Sequence, residues 1–386
     1  MRVLHVSREY GFEGGIEHYL SWVTPELERR GHEVGLLCER RDPRASYVHS
    51  SRVGVVDAVR NFEAEARNFR PDVIYLHHLR DPRAALALAG VAPLVRFAHA
   101  EQVVCPNDVK SFPPDWRPCT YRSGALACGI LCPYVHRYGS RHPARVAAKL
   151  ALQRAMDRAN RGIARWVVAS RFMARSLERE RLRPESIHVI PYFTRLAGDP
   201  AAPPSGTPSA LFIGRLVAAK GVDHLLRAFA RLRLKASLSV AGDGEEAPRL
   251  KALARELGVE PRVRFLGPVD HSEVGTLIER HHLVVMPSLW QEPFGIVGIE
   301  AMARGRPVVA YRVGGIEEWL EDGKTGYLAR PGDVGHLADR IDALLSAPGT
   351  VISFGSAGRA RVAERYLPRP HLDALEAVFR LAISPS

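Results

Sequence analysis

Residues 1–38, MRVLHVSREYGFEGGIEHYLSWVTPELERRGHEVGLLC, carry the pattern from which the fold can be read. A short apolar, β-branched opening is followed by the glycine pair Gly14 and Gly15, then by a segment with apolar residues at helical spacing that stops at Gly31. That order reads as strand, glycine loop, helix and second strand, a βαβ unit. The same alternation continues through PDVIYLHH, PLVRFAHA, RWVVASRFMARSLERERL and IHVIPYF. These strands are apolar almost without interruption, as parallel strands buried on both faces are. A parallel sheet covered by helices is therefore expected.

The chain has 386 residues, which suits two domains, since single domains usually run about 100–200 residues. Near residue 196 the composition changes to LAGDPAAPPSGTPS, with no apolar period, as linkers have. A second strand–helix series starts at SALFIGRLVAAKGVDHLLRAFARL and continues through ASLSVAGDG, RVRFLGPV, HLVVMPS and PVVAYRVGG. The expected division is a domain over 1–195, a linker over 196–208 and a second domain over 209–367. An amphipathic last helix within 368–386 follows Pro368 and Pro370 and could cross back to the first domain. The fold class is α/β, two Rossmann-like domains with a cleft between them as the default binding site.

Apolar residues make up 46% and charged residues 25% of the chain, which excludes disordered and fibrous classes. The opening meets Glu9 before any apolar stretch long enough for a signal peptide, so a cytoplasmic location is expected. The longest apolar run, AALALAGVAPLV, falls short of the roughly 20 residues that span a bilayer. A formal charge of +12 suits an anionic partner, although the predominance of Arg over Lys also fits a compositional bias.

Two constellations could carry chemistry. In FIGRLVAAKG an apolar strand ends at Gly214, and Arg215, Lys220 and Gly221 follow before a helix. Strand ends are where doubly wound sheets bind ligands, and these cations could grip one diphosphate; alone, they read equally as solvated loop residues. In LWQEPFGIVGIEAMARGRP, residues 289–307, Glu292 precedes a Pro-Phe-Gly turn and Glu300 lies within the helix that follows. The turn is expected to direct the Glu292 carboxylate outward. Unpaired N–H groups at the helix start favour phosphate or sugar oxygens, and the carboxylates can accept bonds from vicinal hydroxyls. A helix-entry acid and a surface glutamate are the plainer alternatives.

Together GRLVAAKG, AGDG, FLGPV, EPFGIVGIE and VGGIEEWLEDGKTGYL resemble the ordered motifs of family 4 retaining glycosyltransferases, which have the GT-B fold. The first half resembles that family through the GGIE loop and His99 in VRFAHA. The resemblance implies sugar transfer, with retention, from a nucleotide-diphosphate sugar to an acceptor hydroxyl. It implies that Arg215 and Lys220 hold the diphosphate, Glu292 the transferred sugar and Glu300 the ribose. Backbone N–H groups of Phe294, Gly295 and Ile296 would contact sugar or phosphate, Gly15 would let its loop approach the diphosphate, and His99 would line the reaction centre. Members generally need no metal or other cofactor. The acceptor would be a sugar, a lipid-linked sugar or a small molecule, in surface polysaccharide or glycolipid synthesis; nucleic acid is not expected. The family's PNG turn is replaced by IPYFTRL, and Ala100 stands where an acidic residue often follows the histidine. An epimerase or phosphorylase on the same fold, and a silent nucleotide-sugar-binding protein, are the rival readings.

Two further features stand apart. Cys105, Cys119, Cys128 and Cys132 lie within 28 residues, and reduced clustered thiols read as a structural metal site, as free thiols or, less suited to the cytoplasm, as a disulfide. Arg154, Arg158, Arg161 and Arg165 recur at helical spacing opposite Leu152, Met156, Ala159 and Ile163. That face is either simply solvated or meets anionic lipid on the inner face of a membrane.

Overall fold

The computed structural model describes residues 1–10, 15–41, 53–55, 59–79, 81–105, 109–112, 114, 116–124, 127–132, 143–195 and 205–384. Gly14 and residues 196–204 of the expected linker lie outside them. The chain divides into two compact units: Met1–Phe112, Cys119–Tyr192 and Pro368–Ser386 form one, Pro113–Pro118 and Phe193–Leu367 the other.

The first unit is built on seven parallel strands: β1 (Arg2–Tyr10), β2 (Glu33–Arg41), β3 (Val53–Val55), β4 (Val73–Leu76), β5 (Leu94–Ala98), β6 (Arg165–Val168) and β7 (Ile187–Val189). Their order in the sheet is β3-β2-β1-β4-β5-β6-β7. Val3 pairs with Val34 on one side and Val73 on the other, and all three are buried. The first helix, α1 (Gly15–Arg29), ends as the sequence indicates: Gly31 takes φ +82° and its N–H bonds Glu28 O at 2.9 Å. The last helix, Pro368–Ile383, belongs to this unit. His371 Nε2 lies 2.9 Å from Tyr19 Oη on α1, Phe379 packs edge-on against Tyr75, and Arg30 reaches Asp373 at 2.6 Å.

In the second unit β8 (Ser209–Ile213), β9 (Ser237–Ala241), β10 (Val263–Gly267), β11 (Leu283–Met286), β12 (Val308–Tyr311) and β13 (Gly326–Ala329) are again all parallel. Their order is β10-β9-β8-β11-β12-β13. This order reverses direction between β8 and β11, the switch point where the loops leaving two adjacent strands diverge and open a crevice at their carboxyl ends. In the first unit the reversal falls between β1 and β4.

The arginine-rich segment departs from its expected pattern. Its helix, Pro143–Asn160, stops before Arg161, and Arg165 opens β6. Met156, Ala159 and Ile163 are buried as expected, but Leu152 is 50% exposed, at the edge of the face it shares with Met156 and Ala159 and across the helix from Arg154 and Arg158. The apolar stripe is narrower than the spacing suggested because Gln153, not Leu152, turns inward. No helix among the described residues is long and apolar enough to cross a membrane.

Candidate active site

In the second unit the loops leaving β8 and β11 bring together the residues that the two motifs separate in sequence. The β8 loop is braced from β9: Gly214 N–H donates to Ala241 O at 3.0 Å and Leu216 N–H to Asp243 O at 2.8 Å. Arg215 projects from this loop, exposed and without a side-chain partner among the described residues. Lys220 donates from Nζ to Glu292 Oε1 at 2.5 Å, and its ammonium lies 5.5 Å from the centre of the Trp290 ring. Ser288 Oγ donates to the same carboxylate oxygen at 2.6 Å.

Glu292 is thus not directed outward as the turn alone suggested. It is 4% exposed, because its loop is clasped from the far side. Gly315 N–H donates to Glu292 O at 2.8 Å, and Gly314 N–H donates to the Gln291 side chain at 3.0 Å. Gly314 sits at φ +58°, where a Cβ would stand 2.0 Å from Glu292 O, so only glycine permits this approach. Burial pushes the Glu292 carboxyl up, but Lys220 and Ser288 together outweigh it and hold it below the usual range. The group is an ionised, paired carboxylate.

Glu300 has the opposite character. Its helix, Ile296–Ala303, is apolar around most of its circumference, and six of its eight residues are buried, Glu300 among them. Burial raises its carboxyl to about 7, with Arg304 opposing only in part. His271 Nε2 is 3.5 Å from Oε1. The helix begins at Gly295, at φ +91°, with no side chain capping it; its first N–H groups therefore lack intrahelical acceptors. Trp319 Nε1 donates to Phe294 O at 2.7 Å and fixes the turn from behind. Ionised carboxylate, cation, protonatable carboxyl and uncapped helix start thus stand at one sheet's switch point.

In the first unit His99 does not stand alone. His5 Nδ1 lies 3.0 Å from His77 Nε2, His77 Nδ1 lies 2.9 Å from His99 Nε2, and His99 Nδ1 lies 2.5 Å from Tyr192 Oη. Burial drives His5 down to about 3 and His77 and His99 well below their ordinary value, so all three are neutral. A neutral imidazole donates from one nitrogen and accepts at the other, which gives the row a single polarity. His5 Nε2 is buried without a partner. An orphan lone pair costs less than an orphan N–H, so His5 donates to His77, His77 to His99 and His99 to Tyr192. Both His99 nitrogens are therefore committed to protein partners. Gly15 opens α1, and a Cβ there would meet nothing within 4 Å.

Ser288, His271, His5, His77 and Tyr192 belong to none of the sequence motifs that point to chemistry. The histidines left a trace, since LHVS, YLHH and FAHA place one in or just after each of three apolar strands. His271 left none, being 29 residues from Glu300 and on another helix.

Two doubly wound parallel units, the second with a cation–carboxylate cluster at its switch point, define the class as an α/β protein of GT-B architecture. Residues 13–196 match the family described as Glycosyltransferase Family 4, and residues 199–361 match Glycosyl transferases group 1. Matched in succession over both halves, the chain belongs to these glycosyl transferases. Both descriptions name glycosyl transfer, and neither names epimerisation or phosphorolysis. The chain is 39% identical over 176 residues to a D-inositol 3-phosphate glycosyltransferase of Mycobacterium avium, covering 45% of this chain and 41% of the relative. It is 41% identical over 180 residues to the Mycobacterium bovis enzyme of that name, covering 45% and 37%. The matched part thus spans about two fifths of these relatives' length. Among solved structures, HepE of Anabaena in complex with UDP superposes with a TM-score of 0.74 at 21% identity, covering 98% of this chain and 100% of the other. Sucrose-phosphate synthase of Thermosynechococcus elongatus does so at 0.76 and 20%, covering 98% of each. At these identities the likeness concerns the fold.

Proposed function

We propose that the protein transfers a sugar from a nucleotide-diphosphate sugar to an acceptor hydroxyl with retention of configuration. The observation that carries this reading is the Lys220–Glu292–Ser288 cluster beside the uncapped helix that bears Glu300. Glu292, ionised and held on Oε1 by Lys220 and Ser288, would accept bonds from hydroxyls of the donor sugar. Lys220 retains two N–H donors beyond the one given to Glu292. With Arg215 and the helix N–H groups it would stabilise the leaving diphosphate, the charge that grows as the glycosidic bond breaks. These cations would supply the role that a divalent metal fills in other transferases, so turnover is expected without added metal. Glu300 would accept bonds from the ribose hydroxyls. His99, with both ring nitrogens committed, would brace the strand end at the reaction centre rather than move a proton.

The acceptor would be a sugar, a lipid-linked sugar or a small polyol, in surface polysaccharide or glycolipid assembly. The exposed Arg154, Arg158 and Arg161 support peripheral contact with an anionic inner membrane face. UDP-glucose is the first donor to try, since UDP and glucose occupy the Anabaena fold neighbour, and inositol phosphate belongs in the acceptor panel because of the relatives' names. The test is a thermal-shift screen of UDP-, GDP- and ADP-sugars followed by product analysis with labelled donor. A ligand at 100 times its dissociation constant adds about 2.7 kcal/mol of stability. An α-linked product from an α-linked donor, formed in the presence of chelator, supports the reading. Inversion, or absolute dependence on a divalent metal, sinks those two parts of it, and no response to any nucleotide sugar sinks the whole.

A further inference from the structure

The four clustered cysteines have no part in the site just described, yet the fold gathers them. Cys105 follows a short 3₁₀ turn after β5, Cys119 lies on a separate segment, and Cys128 and Cys132 sit one turn apart at a five-residue π-helix, Ala127–Leu131. All four line a single cavity of ≈ 20 Å³ together with Lys110 and Tyr121. That volume holds about one water-sized sphere, since such a site needs roughly 10–15 Å³. It suits a single ion.

The backbone around the sulfurs is pinned. Cys105 N–H donates to Glu101 O at 2.8 Å, Cys119 N–H to Lys110 O at 2.7 Å and Cys128 N–H to Gly124 O at 2.8 Å. Two sulfurs also receive backbone donors: Gly124 N–H points at Cys128 Sγ at 3.4 Å, and Tyr121 N–H bonds the Cys119 sulfur. Backbone N–H groups directed at sulfur stabilise a thiolate and add little to a neutral thiol. The neighbouring charges are already balanced. Lys110 is paired with Glu180, whose oxygens also accept from Ser123 N–H at 3.0 Å and Ser123 Oγ at 2.7 Å. Glu180 is therefore committed elsewhere, which leaves sulfur as the donor set. No cysteine is in a disulfide. No three of the sulfurs fall within 4.8 Å of one another, so an ion would draw them in by side-chain rotation.

We propose that Cys105, Cys119, Cys128 and Cys132 form a tetrathiolate site for one zinc ion, which staples three segments of residues 105–132 beneath the strand end that carries His99. Soft thiolates select zinc among the available divalent ions, four of them close a tetrahedral structural site, and the Cys128-x3-Cys132 spacing falls within the usual range of two to four intervening residues. Binding would release the thiol protons. The proposal does not depend on the transferase reading.

The test uses the full chain purified under reducing conditions. Elemental analysis should find one zinc per chain, and thiol titration of the native protein should show four cysteines protected until a strong chelator is added. Chelated protein titrated with cobalt(II) should develop sulfur-to-cobalt charge-transfer absorption that saturates at one equivalent. Cys128→Ser and Cys119→Ser should abolish that absorption, whereas Cys38→Ser, on β2, should leave it unchanged. Four freely titrating thiols with neither zinc nor a cobalt signal would overturn the proposal, as would a disulfide among the four in peptide mapping of unreduced protein. The wild-type measurements decide the matter even if a serine variant fails to fold.

Discussion

Replacing Glu300 by Gln keeps the shape of the side chain and removes its ability to ionise. In the native protein burial holds this carboxyl at about 7, where an exposed glutamate lies near 4.5. Between those values the folded chain keeps a proton that the unfolded chain has released, so this group's contribution to stability declines as pH rises through the window. Above 7 both states are ionised and the full cost remains, about 3 kcal/mol. Glu300→Gln escapes that cost. It should match the wild type near pH 4.5 and exceed it by about 3 kcal/mol at pH 8, raising the midpoint of the second unit by roughly 6–12 °C. Nucleotide binding should move the other way. Ribose hydroxyls donate to the ionised carboxylate, so wild-type affinity for UDP should fall up to about tenfold per pH unit below 7. The variant should bind roughly 10- to 100-fold more weakly at pH 8, the loss of one charge-assisted hydrogen bond, and show little pH dependence. Scanning calorimetry and titration calorimetry at pH 5.5 and 8 read both effects. A variant no more stable than wild type at pH 8 refutes the desolvated carboxyl, and unchanged UDP affinity refutes the ribose contact.

Lys220→Ala should cut turnover by roughly 10²-fold if the ammonium stabilises the leaving diphosphate, and should destabilise by about 3–5 kcal/mol because Glu292 is left buried and unpaired. Adding Glu292→Gln should restore much of the stability but not the rate, as denaturant melts and initial rates would reveal; recovery of both would assign the pair a structural role only. Gly314→Ala forces a Cβ against Glu292 O, and urea unfolding should register a loss above about 1 kcal/mol together with loss of nucleotide binding. In the first unit, burial lowers His371 to about 4 and His5 to about 3. Their neutral forms favour the fold fully above pH 6.5, and that contribution is lost as pH falls toward 4 and 3, about 3 kcal/mol for His371. His371→Gln should therefore lose less stability than wild type between pH 6.5 and 4, measured by urea melts at each pH; an equal loss would show that His371 is not buried neutral.

Much of the architecture is legible in the sequence because its signals are local. Uninterrupted apolar strands, glycines at helix ends and the change of composition near residue 196 each act within a few residues. They are enough to specify two parallel α/β units and to put Arg215 and Lys220 in the loop after one strand, Glu292 in the loop after another and Glu300 in the helix that follows. The same local signals misjudged Glu292, because a Pro-Phe-Gly turn fixes where the backbone goes and not what later covers it. They also missed that Leu152 is exposed while Gln153 is buried, since spacing alone does not say which of two adjacent residues the neighbouring elements cover.

Sequence by itself determined which residues sit at the switch point; tertiary structure decided their chemical state. Lys220 and Glu292 are 72 positions apart and meet only because β8 and β11 are neighbours in the sheet. That contact makes one glutamate a stable anion, while the apolar surroundings of the next helix make the other a carboxyl poised near neutrality. The histidine row arises in the same way, from strand ends distant in the chain. Ionisation depends on burial and on partners brought from elsewhere, and a linear pattern records neither.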